Sequence, residues 1–487
     1  MIVPLAWRTV VWGPLSGYPR SRAIGLDQAL RREPQAGYTR DITGKLTESM
    51  PHASRYSIAL ASRLERLVNV EPREVRALLW SWSYFFVLLC SYYIVRPMRD
   101  EMGVRGGVEN LHWLFTGTFF VMLAVVPLFG WLTSRYRRSR FLPAIYYFFI
   151  GTVLLFYALF QSELDGVIVA RAFFVWTSVF NLFVVSVFWS FMADIYSNSQ
   201  ARRLFGFIAA GGTAGALAGP ALTTSLAVTL GPAKLLLISA GLLLWAVVCI
   251  RRLAQWQARQ PDPAQGVRAG PDPDQAMGGG VFAGIRLVFR SPYLLGIALL
   301  MVLYTTLSTF LYFQQAQIVR DSFASGAERT AVFASIDLAV NGLTILLQVL
   351  VTARLVKTLG LAWTLALVPL LLCAGFVALA LAPGLMVLVA VQVVRRAGNY
   401  AITRPAREML YVVLGREQKY KAKNFNDTVI YRAGDAVSAW LYTGLRGLGL
   451  GLSGLAWVAV PLAAVWAWVA WRLGRHQVRL ARQYNTP

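Results

Sequence analysis

The sequence predicts an all-α integral membrane protein of about twelve transmembrane helices, arranged as two six-helix halves. Three observations carry that expectation. Apolar residues make up 57% of the chain and charged residues only 14%, against about 25% charged in an ordinary soluble domain. The apolar residues arrive in runs of about 20, each long enough to cross a hydrocarbon layer about 30 Å thick as a helix. A stretch rich in Pro, Gly, Asp and Gln, 251–280, divides these runs six and six.

Residues 1–75 hold no sustained apolar run and are rich in Arg, Pro, Gly and Ser, so they read as a polar, cytoplasmic, disordered extension. No apolar core follows the basic start, so no signal peptide is expected. Met50 is a candidate alternative start, and 57–70 has the pattern of a short amphipathic helix lying on the membrane surface. Spans are expected at 77–97, 111–134, 141–160, 166–191, 204–228 and 234–250, which make a first half of 76–252. A cytoplasmic linker follows at 253–290. Spans at 292–313, 330–353, 361–381, 384–403, 427–445 and 451–472 make a second half of 291–473, and 474–487 is a cytoplasmic tail. An even number of spans puts both termini on one side. Loops on that side hold 29 Lys and Arg against at most six on the other, which predicts cytoplasmic termini in a bacterial inner membrane.

The net charge of +24 would suggest nucleic acid in a soluble protein. Here the basic residues flank apolar spans, where they set orientation and meet lipid, so no nucleic-acid partner is expected. Cys90, Cys249 and Cys373 all fall inside apolar runs, too far apart for a disulfide framework or a Cys metal site. His52, His112 and His476 are the only histidines, and no HExxH, CxxC, GxSxG or phosphate-loop pattern occurs. The expectation is a monomeric carrier with no catalytic residue, metal or cofactor, moved by exchange or an ion gradient.

Charges at membrane depth are expensive and usually functional. Asp337 and Asn341 lie one turn apart in the eighth span, and Arg395 and Arg396 sit about halfway along the tenth. Arg432 and Asp435 lie near the start of the eleventh, and Arg96 closes the first, with Arg99 and Asp100 just beyond. Arg171 and Arg404 are close enough to span ends to snorkel. An excess of inward arginines over carboxylates predicts an anionic solute, because guanidinium is a planar fork for phosphate and carboxylate. Structural Arg–Asp pairing between helices explains the same pattern. In the fifth span Gly211, Gly215 and Gly219 recur every four residues, which permits close backbone approach, and Pro220 frees a carbonyl.

Two stretches resemble signatures of the major facilitator fold. Gly130-Trp-Leu-Thr-Ser134-Arg135-Tyr-Arg-Arg-Ser-Arg140 resembles its loop between spans two and three, with Ser134 where the pattern has Asp. Gly219-Pro220 resembles half of a span-five signature of antiporters, which packing explains equally. More specific are Tyr93-Ile-Val-Arg96-Pro-Met-Arg99-Asp100 and the run from Pro405-Ala-Arg407-Glu408 through Lys419, Lys421 and Lys423 to Tyr431-Arg432-Ala-Gly434. Phe188-Trp-Ser-Phe-Met-Ala-Asp-Ile195 fits more loosely. Together they resemble the ATP/ADP translocase family of nucleotide transporters, over most of 77–445. That resemblance implies nucleotide exchange with basic residues on the phosphates. Arg99 and Arg432 stand where that family has lysines, while Arg96, Asp100, Arg407 and Glu408 match it directly.

The expected substrate contacts are therefore Arg99, Arg395, Arg396 and Arg432. Arg96, Asp100, Asp337 and Asp435 are expected to gate or to act as counter-ions, and Gly130, Arg135, Gly215, Gly219 and Pro220 to serve packing and conformational change. Lys419, Lys421 and Lys423 either draw an anion to the mouth or bind anionic lipid. The expected function is alternating-access transport of a small anionic solute such as a nucleotide. The alternative is a facilitator permease or exporter of another organic anion, drug or siderophore, with Asp337 as the proton-carrying carboxylate.

Overall fold

The computed structural model describes residues 70–71, 73–135, 138–162, 164–259 and 283–485, and these are helical with short connections. The extension 1–69, with Met50, and residues 260–282 of the linker lie outside the described residues. Six long helices form the first half: α1 (Val75–Arg105), α2 (Leu111–Arg135), α3 (Arg138–Gln161), α4 (Gly166–Ile195), α5 (Asn198–Leu230) and α6 (Pro232–Ala258). A short α7 (Ala283–Arg290) precedes α8 (Pro292–Ser322), α9 (Gly326–Leu350) and α10 (Thr352–Leu381). The next run is α11 (Leu385–Gly398), a π turn (Asn399–Thr403) and α12 (Arg404–Leu410). After it come α13 (Arg416–Phe425), a second π turn (Asn426–Ile430), α14 (Tyr431–Gly447) and α15 (Leu452–Asn485).

The helix starts follow local chemistry. Ser197 with Gln200 and Ser325 with Glu328 form capping boxes at α5 and α9, which satisfy N–H groups at the exposed helix starts. Ser291 caps α8, with Pro292 in the first turn where its missing N–H costs nothing.

Among the described residues, 11 helices are long and apolar enough to cross a membrane. The expected eleventh span is the one that falls short, because Arg432, Asp435 and Arg446 crowd α14; it completes its length through the π turn into α13. Three boundaries need correction. Span one does not end at Pro97: α1 continues to Arg105, because Pro97 is buried among neighbours that tolerate the lost hydrogen bond. The expected linker is helical at both ends, in the last turn of α6 and in α7. The expected tail is the end of α15, whose helix runs on to Asn485.

Two apolar cores organise the molecule. One is built from α1, α3, α4, α5 and α6. The other is built from α8 to α15, joined by Val104, Val108, Leu111, Leu114 and Phe174 from the first half. The tightest seam is α1 against α5. A Cβ on Gly211 would lie 2.5 Å from the Trp82 carbonyl and one on Gly219 2.6 Å from the Cys90 carbonyl, with Gly215 equally close to the Phe86 carbonyl. Helix α9 then lies across both α1 and α5 and joins the halves.

A charged site between the halves

The face where α1 begins and α15 ends is here the near face; α1 ends at the far face. At mid-depth α1, α9 and α11 meet around Asp337, which is 1% exposed. Its Oδ1 accepts from Arg96 at 3.2 Å and from Arg396 at 2.5 Å, so two guanidiniums share one carboxylate. Its Oδ2 is buried without a hydrogen-bond partner. One turn along α9, Asn341 donates to the Ala216 carbonyl at 2.7 Å and accepts from Tyr93 at 3.5 Å. This holds α9 to α5 and α1.

Towards the far face, Asp100 is 6% exposed and accepts from Arg99 at 3.4 Å and from Tyr312 of α8 at 3.0 Å. The long run of α1 past Pro97 is what carries both charges inside the protein. Arg99 also lies over the Phe174 ring, 4.0 Å from its centroid. Beside it, a small cleft is lined by Arg99, Arg432, Asp435, Phe115, Thr118 and Phe174.

Arg395 is held differently. It donates to Gln392 at 2.9 and 3.2 Å and to Ser308 at 2.5 Å, and Gln392 in turn donates to Gln315. All these partners are neutral, and Arg395 is only 6% exposed. Arg404 stacks on Tyr400, nearer the near face. Arg171 does not snorkel: it donates to the Gly106 carbonyl at 3.0 Å and closes the C-terminus of α1.

Contacts between the halves continue to the far face. Arg329 grips Glu101 with two bonds of 2.7 and 2.8 Å, and Arg320 meets Glu109 at 2.6 Å. His112 and Thr116 of α2 reach Thr443 and Trp440 of α14. Among the described residues, the near face has ion pairs inside each half: Glu74 with Arg203, Glu408 with Lys423, and Arg407 with Asp427. Burial pushes the Glu74 carboxyl up, but hydrogen bonds from Gln200, the Glu71 N–H and Arg203 outweigh it and hold it below the usual carboxylate range.

A family model of the Major Facilitator Superfamily matches residues 79–406. The chain belongs to that superfamily. It is a secondary membrane transporter, and its relatives agree. ADP,ATP carrier protein 1 of Chlamydia muridarum (strain MoPn / Nigg) is 21% identical over 469 residues, covering 81% of this chain and 87% of that one. A bacterial homolog of the human lysosomal transporter Spinster, solved inward-facing and unoccupied, superposes with a TM-score of 0.55 at 14% identity, covering 84% of this chain and 99% of that one. A mutant of the nucleoside transporter NupG gives 0.53 at 12%, covering 83% and 99%. These likenesses show the facilitator fold.

Within this facilitator, the residues singled out from sequence sort into groups. Arg96, Arg396 and Asp337 form one triad; Arg99, Arg432 and Asp435 share the cleft, with Asp100 behind Arg99; Arg395 stands by itself among neutral groups. Gly215 and Gly219 lie in the α1–α5 seam, and Pro220 is inside α5 without ending it. The side chains of Gly130, Ser134 and Arg135 fall outside the described residues. Sequence reasoning did not find the Gln315–Gln392–Ser308 cradle, Tyr312, Phe174 or the Glu101–Arg329 contact. Gln392, alone in the apolar run 385–394, was the available signal for the cradle.

Proposed function

We propose that this facilitator carries an anionic solute, with an adenine-nucleotide-like molecule as the leading candidate, by rocking its halves about the charged site. It acts as a carrier and makes no covalent change. The observation that supports this reading is Arg395, a buried guanidinium beside Arg396 that no carboxylate meets among the described residues. A permanent cation in a low-dielectric interior calls for an anion, and the substrate supplies it. The curated relative named for ADP and ATP supports the nucleotide as the finer choice.

The arrangement of contacts, knit from mid-depth to the far face, is that of a carrier opening toward the near face. We assign the near face to the cytoplasm on the basic residues there, in a bacterial inner membrane, with the halves divided at the linker and the carrier acting as a monomer. Counterflow in liposomes tests the reading: carrier loaded with an unlabelled adenine nucleotide should accumulate labelled adenine nucleotide saturably. Arg395→Gln and Arg432→Ala should each reduce uptake about tenfold or more. Uptake unchanged in both variants removes these arginines from the site.

A second reading rests on Asp435. It lines the same cleft as Arg432, and no hydrogen bond or ion pair holds it among the described residues. That favours a proton-linked permease of another organic anion, with Asp435 rather than Asp337 as the proton carrier, since Asp337 is already shared by two guanidiniums. Proton-driven uptake that survives Asp435→Asn would sink it.

A further inference from the structure

We infer that the species carried is a dianion bearing a neighbouring hydrogen-bond donor, such as a hydroxylated phosphate monoester, rather than a free nucleoside di- or triphosphate. This rests on the anion-carrier reading and narrows it.

Among the described residues, the charges from mid-depth to the cleft are five guanidiniums, Arg96, Arg99, Arg395, Arg396 and Arg432, and three carboxylates, Asp100, Asp337 and Asp435. They act on one another: Asp100 feels Arg99, Arg96 and Arg396, and Asp435 feels Arg432, Arg99 and Arg395. Arg99 is matched by Asp100 at 3.4 Å. Arg432 and Asp435 line the same cleft, and Arg432 is first among the cations that act on Asp435. Arg96 and Arg396 divide a single Asp337 oxygen, which leaves one positive charge on that triad. Arg395 adds a second, because its cradle of Gln392 and Ser308 has dipoles and no charge. Arg404 is half-buried, lies further toward the near face and stacks on Tyr400. Two positive charges thus stand uncompensated, on adjacent residues of α11.

Charges inside a membrane protein are paired because desolvation is costly. A substrate that neutralises both crosses at least cost. Fewer charges leave a cation bare, and more leave an anion bare. A phosphate monoester carries nearly two negative charges at neutral pH, and a triphosphate free of metal carries about two more. The unpartnered Oδ2 of Asp337, buried beside these cations, accepts a hydrogen bond from the same molecule, which a sugar hydroxyl donates.

The test reads thermal stabilisation of the purified full-length carrier, then counterflow in liposomes, with AMP, ADP, ATP, ribose phosphate, succinate and acetate, each with and without magnesium. AMP and ribose phosphate should bind about tenfold tighter than acetate and than metal-free ATP. Magnesium, which brings ATP near two net charges, should close most of that gap. Arg395→Gln should erase the preference for dianions over acetate, and Arg395→Lys should keep it, which separates loss of charge from loss of folding. Metal-free ATP binding tighter than AMP overturns the dianion inference and leaves nucleotide carriage standing. Ribose phosphate active while every adenine nucleotide is inert upholds the dianion and overturns the nucleotide. Succinate equal to ribose phosphate overturns the hydroxylated phosphate.

Discussion

Single residues set both chemistry and stability here. Asp337 has almost no exposure and holds two arginines, so Asp337→Asn leaves two buried cations facing one amide. That change is expected to cost about 3 kcal/mol or more of stability, seen as a lowered melting temperature in detergent. Replacing Asp337, Arg96 and Arg396 together by apolar residues of similar size should recover part of the loss without restoring transport. Gly215 has a different task. Its missing Cβ admits the Phe86 carbonyl, so Gly215→Ala should destabilise by about 1–3 kcal/mol, whereas Gly241→Ala, with open space around it, should be close to neutral. Glu74 gives the pH dependence. Its folded carboxyl titrates below the ordinary range, so its contribution is present above the unfolded value and fades as pH falls through the folded one. The melting-temperature advantage of wild type over Glu74→Gln should therefore be full near about pH 7 and shrink below about pH 4; an advantage that grows on acidification would contradict the assignment.

At the scale of elements, the far face is latched by the end of α1 against the start of α9. Arg329→Gln should loosen the Glu101 grip and shift the carrier toward far-side opening, and the swap Glu101→Arg with Arg329→Glu should bring closure back. Labelling of Thr118→Cys by an impermeant maleimide from the far side checks both. Most spans were legible because apolar length is a strong signal, and Gly211, Gly215 and Gly219 pointed to a close seam from spacing alone. Proline misled at the end of α1, since in an apolar solvent neighbours absorb what would end a helix in water. The polar α14 was legible as a span only with the residues preceding it. Which arginine meets which carboxylate was not legible, because those pairs join residues far apart in sequence, such as Arg96 with Asp337. The neutral cradle of Arg395 was invisible to a reading that followed charged residues alone.

For the whole molecule, the two cores meet where the end of α1, the start of α2 and Phe174 enter the second one and Ala331 of α9 packs against the first, and the halves also share polar contacts at mid-depth. The α1–α5 seam has a mechanical consequence for that arrangement. Side chains between helices act as compressible spacers, but here backbone rests on backbone for three successive turns. The pair therefore behaves as one stiff beam with no slip along its length. Arg96 and Arg99 at the charged site and Glu101 at the far face are mounted on that same beam, less than two helical turns apart. A push at the solute arrives at the outer end undamped, and tilting the beam by a few degrees is enough to part Glu101 from Arg329.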